Sequence, residues 1–247
     1  MNTEELFREN AYLRECAATV MAVDGRRIVL DRTVFYPEGG GQPGDCGGLR
    51  LAGGATLRVT TTRKDTDLGL VHVLAEDSAT PAIGETLTAA IDWETRYRHM
   101  RMHTCLHLLC SLIPHPVTGG AIGADRGRLD FDMAEGIDKA AIENALNDLV
   151  AGDHPVGYRW ITDEEMRGNM ALVRTMSVQP PMGSGRVRLV DVDGVDLQPC
   201  GGTHVARTGE IGRVTLGKVE NKGKHNRRVN VLFDTAPHAG GIGSAPV

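Results

Sequence analysis

At their ends, His103-Thr-Cys-Leu-His107 and Cys200-Gly-Gly-Thr-His204 offer three imidazoles and one thiol, a donor set that zinc prefers. On a helix the first two histidines, spaced i and i+4, lie one turn apart on the same face and aim at a common point. In the second run a Gly-Gly-Thr turn separates Cys200 from His204, and residues without Cβ let the chain curl tightly enough to bring thiolate and imidazole together. The two half-sites can close around a single ion, so the expected cofactor is Zn2+, one per chain, held by His103, His107, Cys200 and His204. Either run alone is more often a hydrogen-bonded core histidine or a chance spacing. Their joint presence carries the metal reading. A zinc protease of the gluzincin type needs a glutamate directly after the first histidine as general base, and Thr104 stands there. The protease reading fails on chemistry.

The elements that must position these donors change character along the chain. Up to about Ala90 the sequence reads as short strands, Ala17 to Val23, Arg26 to Leu30, Thr56 to Thr62, Leu70 to Leu74 and Glu85 to Ile91, separated by Gly, Pro and Asp. Many short strands with polar turns point to a small barrel, and Asp24-Gly25 is a hairpin turn joining the first two. Asp92 then caps a helix from Trp93 to Leu112 that contains no Gly or Pro and carries both histidines of the first run. A second helix is expected over Asp138 to Val150, and Thr162-Asp-Glu-Glu165 forms a capping box for a third. Strands are expected at Gly127 to Phe131, Val156 to Trp160, Val187 to Val192, Val214 to Val219 and Arg228 to Phe233. The fold class is therefore α+β, a small N-terminal β-barrel followed by helices on an antiparallel sheet. The expected domains are 1–91 for the barrel, 92–235 for the metal-bearing part, and 236–247 as a flexible tail of Gly, Ala, Pro and Ser.

Composition narrows the class. A hydrophobic content of 41% with 24% charged residues suits a water-soluble globular chain, and a net charge of −5 excludes a protein coated for nonspecific nucleic-acid binding. Any RNA contact must be regional. No stretch approaches the ~20 apolar residues of a membrane span, and the N-terminus is polar and acidic, so a cytoplasmic location without membrane contact is expected. Among the five cysteines, Cys16, Cys46, Cys105 and Cys110 show no framework spacing and read as free thiols. Oligomeric state is not legible.

The run Phe35-Tyr-Pro-Glu-Gly-Gly-Gly-Gln-Pro-Gly-Asp45, followed by HxxxH and then CxxxH, resembles the freestanding alanyl-tRNA editing proteins, relatives of the editing domain of alanyl-tRNA synthetase. Asp125 to Asp132 and Lys218 to Arg228 extend the resemblance, which spans Val20 to Phe233 and is closest to the medium-length class. It implies a barrel joined to an editing domain shared with threonyl- and alanyl-tRNA synthetases. It also implies an aminoacyl-tRNA deacylase that hydrolyses seryl-tRNA(Ala), and glycyl-tRNA(Ala), in trans, with the acceptor end of mischarged tRNA(Ala) as partner. Two features depart from the family: the residues between the histidines, and the segment Leu112 to Gly123.

The ester to be cut is already activated, so the chemistry needs a positioned water and stabilisation of developing negative charge. Four permanent ligands fill a tetrahedral zinc and make it structural unless it expands or releases one; orienting substrate is the other role. Selectivity is a separate demand. Alanine differs from serine only by lacking a hydroxyl, and a site that hydrogen-bonds that hydroxyl rejects the analogue by leaving its own polar groups unpaired. Thr33 and Gln42, which flank the glycine-rich run, are the candidate catalytic partners, with an ordinary strand threonine as the alternative for Thr33. Gly39, Gly40 and Gly41 allow close backbone approach to substrate, with a plain tight turn as the alternative. For RNA, the cations of the 213–228 segment, Lys218, Lys222, Lys224, Arg227 and Arg228 above all, form a candidate phosphate-binding patch, or else a solvated face. Arg96, Arg98 and Arg101 are possible extensions of it. The competing function is a tRNA-binding module with a structural zinc and no activity. Length excludes a full synthetase, and no run resembles a class II aminoacylation core.

Overall fold

Alternation of apolar and polar residues curls the N-terminal part of the chain into a barrel, and a long buried helix then hands the chain to a second core. The computed structural model describes residues 3–176, 182 and 185–234. Its first strands are β1 (Glu4–Glu5), β2 (Glu15–Asp24), β3 (Arg27–Leu30), β4 (Arg32–Thr33), β5 (Gly47–Leu51), β6 (Thr56–Asp65), β7 (Gly69–Leu74) and β8 (Thr86–Ile91). Strands β2, β3, β7, β6, β5 and β8 close in that order into an antiparallel barrel, while β1 and β4 form a short parallel pair beside it. The β2–β3 hairpin turns as expected, with Asp24 opposite Arg27 and Gly25 at φ +56°. Val20, Ile28, Leu30, Leu49, Val59 and Leu74 fill the barrel, each almost wholly removed from water.

The second part begins with α1 (Trp93–Leu112), capped by Asp92, whose side chain accepts from Thr95 N–H. It continues through β9 (Val117–Ile122), β10 (Arg126–Asp132), α2 (Lys139–Ala151), β11 (Val156–Thr162), α3 (Asp163–Gly168), β12 (Arg186–Val192), β13 (Asp196–Pro199), β14 (Val214–Gly223) and β15 (Asn226–Phe233). Two antiparallel sheets result, ordered β14-β15-β10-β9 and β11-β12-β13. The capping box expected at Thr162 and Glu165 starts α3. Among the described residues no helix is long and apolar enough to cross a membrane. The tail expected from Ala236 onward lies outside the described residues.

Five strands were not legible in the sequence; β1 and β4 span only two residues each, and three others are longer. Both β5 and β9 contain paired glycines, which weaken a strand by propensity. They form because their neighbours come too close for side chains: a Cβ on Gly47 would stand 2.2 Å from Ala90 O, and one on Gly120 would stand 3.1 Å from Leu129 Cδ2. Strand β9 occupies half of the Leu112–Gly123 segment. The third, β13, is too short to show a period.

Helix α1 is buried on nearly every side, its polar residues included, and it ties the two parts together. Arg96, with no exposed side-chain surface, donates to both carboxylate oxygens of Asp45 at the end of the glycine-rich run and to the carbonyls of Val34 and Ala11. Arg98 pairs with exposed Asp125, and Arg101 donates to Ile211 O and lies over the Phe233 ring. None of the three serves as a free helical cation.

Candidate metal centre

His103, His107, Cys200 and His204 converge so that their four donor atoms all lie within 4.8 Å of one another. Cys200 Sγ is 3.5 Å from His103 Nε2 and 3.3 Å from His204 Nε2. Donors bound to one tetrahedral zinc stand about 3.4–3.6 Å apart, given metal–ligand distances of about 2.0–2.3 Å. Helix α1 supplies two donors from one face, and the loop after β13 supplies the other two. That loop needs glycine at 202 for space: a Cβ there would stand 2.3 Å from His103 Cε1 and 2.9 Å from Gln42 Oε1. Gly202 N–H donates to the Cys200 sulfur at 3.4 Å.

Each imidazole is turned by a partner on its far nitrogen. His103 Nδ1 donates to Gln42 Oε1 at 2.9 Å, an oxygen that also accepts from Thr203 N–H, while Gln42 Nε2 donates to Thr203 Oγ1. His107 Nδ1 faces Asp196 Oδ2 at 3.3 Å. His204 Nδ1 faces Thr104 Oγ1 at 3.1 Å, and because that hydroxyl spends its hydrogen on Met100 O, it must accept from the histidine. All three Nδ1 atoms therefore carry the proton and all three Nε2 lone pairs point inward, the arrangement that outer partners impose on metal-binding histidines.

The electrostatics call for a cation. Burial pushes the Cys200 thiol up, but His103 and His204 outweigh it and hold the thiol well below its ordinary value. His204 is pushed well down by burial and by His103. Burial would lower His107 too, yet Asp196 and Cys200 raise it to about 9. A thiol held towards its anionic form among three imidazoles thus favours a bound cation. Donor chemistry, spacing and charge all fit zinc.

Two cavities, of about 260 Å³ and 230 Å³, meet at Gly40, His103, His107, Thr175 and Gln198. The glycine-rich turn runs between them: Gly39 and Gly40 line the first, Gly40 and Gly41 the second. Gly40 and Gly41 have φ of +58° and +84°, and Gly41 O accepts from Ile122 N–H at 2.9 Å. A Cβ on Gly41 would stand 3.0 Å from Gly120 O. The motif therefore lies directly on β9. Gln42 is brought to the cluster, as a holder of His103 rather than as a lining residue.

Thr33 is not brought there. Its hydroxyl lies inside the barrel, donating to His72 Nε2 at 2.8 Å and accepting from Phe35 N–H at 3.0 Å; His72 Nδ1 donates to Ile28 O. Burial holds His72 down to about 4, so it stays neutral. Thr33→Val should leave His72 and Phe35 N–H unpaired at a cost of about 1–3 kcal/mol each. We expect a lower melting temperature with equal effects on seryl and glycyl substrates. Loss confined to the seryl substrate would return Thr33 to substrate recognition.

Most of the basic segment is internally paired. Arg228 is bound by Asp130 at 2.8 Å, and Lys222 lies 2.7 Å from Glu220. Arg227 donates to Asn221, Gly223 O and Ala134 O. Lys218 and Lys224 are exposed, with no ion pair among the described residues. None of the five lines either cavity. Sequence reasoning missed Asp196 and Thr203 and assigned Thr104 no role beyond excluding a protease. The only signal was their nearness to the donors in sequence.

Comparison with known proteins agrees with this geometry. A family model described as the threonyl and alanyl tRNA synthetase second additional domain matches residues 187–230, across β12, β13, the Cys200–His204 loop and the basic hairpin. A second, described as tRNA synthetases class II (A), matches residues 4–95, so the likeness to synthetases extends through the barrel that holds the glycine-rich run. Alanyl-tRNA editing protein AlaX-M of Methanosarcina mazei is 37% identical over 253 aligned positions, covering 97% of this chain and 99% of the relative. The AlaX-M protein of Saccharolobus solfataricus is 32% identical, covering 92% and 97%. An alanine–tRNA ligase of Pyrobaculum calidifontis is 37% identical over 96% of this chain, which spans only 27% of the ligase. Likeness that runs nearly end to end in the editing proteins, but reaches only a part of the ligase, places the chain: it belongs to the alanyl-tRNA editing protein family, of the AlaX-M type.

Proposed function

We propose that this protein hydrolyses the ester of mischarged seryl-tRNA(Ala), and of glycyl-tRNA(Ala), in trans, with zinc held by His103, His107, Cys200 and His204. As a member of the editing family it is an aminoacyl-tRNA deacylase. The observation that carries the reading is the convergence of three inward Nε2 atoms and a thiolate, with His103 and His107 on the wall that the two cavities share and Cys200 on that of the first. When bound there, zinc supplies a Lewis acid that stabilises negative charge developing on the ester carbonyl. The chain's own residues do the rest. Gln42 and Thr203 hold His103, Asp196 holds His107, and the side-chain-free Gly39–Gly41 turn lets the acceptor end of the RNA approach closely. Thr175 and Gln198, which line both cavities beside the histidines, are the proposed partners of the seryl hydroxyl, Gln198 being fixed there by its hydrogen bond to Asp196. The proposal includes a cytoplasmic location, where charged tRNA is used.

One observation favours a structural zinc in a tRNA-binding module instead: four donors fill a tetrahedral ion. Incubating the protein with seryl-, glycyl- and alanyl-tRNA(Ala), with and without chelator, separates the two. We expect rapid loss of the seryl ester, slower loss of the glycyl ester, an intact alanyl ester, and no hydrolysis after chelation. Tight tRNA binding with no hydrolysis of any ester would establish the binding module.

A further inference from the structure

The first metal cavity has a neighbour. Arg8 and Lys64 line both it and a larger cleft of about 690 Å³, whose walls also include Trp160, Arg186 and Arg188. The cleft thus continues the metal cavity across the junction of the barrel with the β11-β12-β13 sheet. Its chemistry suits a single-stranded nucleic acid, which needs cations for its backbone and flat groups for its bases. The Arg186 guanidinium lies 4.2 Å from the centre of the Trp160 ring, a stacked pair of the kind on which unstacked bases rest. Lys64 is exposed and has no ion pair among the described residues.

Arg188 is the most telling member. It is 1% exposed and lies over the Tyr158 ring at 3.7 Å, and its Nη1 donates to the carbonyls of Cys200 and Gly202. Its Nε and Nη2 are buried, with the Tyr158 hydroxyl as their one polar neighbour among the described residues. A buried guanidinium held so sparingly, at the back of the loop that carries a candidate metal ligand, is an expensive feature that a further acceptor would relieve. The carboxylates of the cleft weigh against an anion, but Glu4 pairs with Arg32 and Glu5 with Arg8, a pair that cancels Arg8's charge as well and leaves Lys64, Arg186 and Arg188 as the cations of the cleft. Glu9 is the third carboxylate.

We infer that the unpaired 3′ end of the tRNA reaches the metal cavity past Lys64 and Arg8, with the nucleotides just before the terminal one held in the Trp160–Arg186–Arg188 cleft. The inference rests on the deacylase reading for its substrate, yet it concerns binding and is measured without hydrolysis. It also replaces the 218–228 hairpin as the principal contact of the RNA end, since that hairpin's arginines are spent on Asp130 and on backbone carbonyls and its exposed Lys218 and Lys224 line neither metal cavity.

The experiment measures affinity of the zinc-loaded protein for uncharged tRNA(Ala), intact or lacking its last three nucleotides. The wild type should bind the intact form roughly tenfold or more tightly. Lys64→Glu, at an exposed position, and Trp160→Ala should each erase most of that difference while leaving zinc content and affinity for the shortened tRNA unchanged. Lys64→Glu also guards against a folding defect in Trp160→Ala. The inference is overturned if Lys64→Glu binds both tRNAs as the wild type does, if it weakens both equally, or if the wild type does not distinguish them. Failure of the deacylase reading would look different: no mischarged ester is hydrolysed, whatever the binding results.

Discussion

Cys200→Ala should empty the metal centre and reduce hydrolysis of seryl-tRNA(Ala) to background. The thiolate is the only charged donor of the four, and its sulfur stands 3.5 Å and 3.3 Å from two of the three imidazole nitrogens it would share an ion with. Removing a partner outside the coordination sphere, as in Gln42→Ala, costs about 10–100-fold in metal affinity. Losing a donor should cost more. After dialysis against a mild chelator, elemental analysis should give about one zinc per chain for the wild type, a reduced amount for Gln42→Ala, and almost none for Cys200→Ala. Stoichiometric zinc persisting in a His103→Ala, Cys200→Ala double variant would falsify the assignment.

Arg96→Met should be the most destabilising single change outside the metal centre. Arg96 and Asp45 are 0% and 1% exposed, and Asp45 also accepts from Tyr36 N–H at 2.6 Å. Methionine fills much of the arginine's volume but leaves the Asp45 charge buried without its cation and two backbone carbonyls without a donor. Breaking a buried pair from one side costs about 3–5 kcal/mol. For a chain of this size that lowers the melting temperature by roughly 6–20 °C. Zinc affinity should fall as well, because Asp45 anchors the run that presents Gln42 to His103. Arg98→Met is the control: its partner Asp125 is exposed, and such pairs contribute at most about 1 kcal/mol. Equal melting temperatures for the two variants would mean that Arg96 does not hold the two parts together.

What the chain determined by itself is local. Four donors at i, i+4 spacing are a property of residue order, and a helix capped by Asp92 and free of Gly and Pro has to present His103 and His107 together. The barrel and the antiparallel sheet were legible for the same reason, since a period of two survives in most of their strands. The strands β5 and β9 were not, because glycine pairs hide a period that the neighbouring strands enforce by close approach.

The site beyond the donors was decided by tertiary structure. Gln42 meets His103 across 61 residues and Asp196 meets His107 across 89. No local rule fixes a contact between residues so far apart, because it depends on how two sheets and a barrel dock around α1. The same docking sent Thr33 into the barrel against His72 and turned Arg96 inward to Asp45. It also gave Arg228 to Asp130 across a β10–β15 pair. Residue types announced a metal and a set of cations; only the packed chain decided which side chains reach the candidate metal cavity and which neutralise one another, because a buried charge is costly until it is paired.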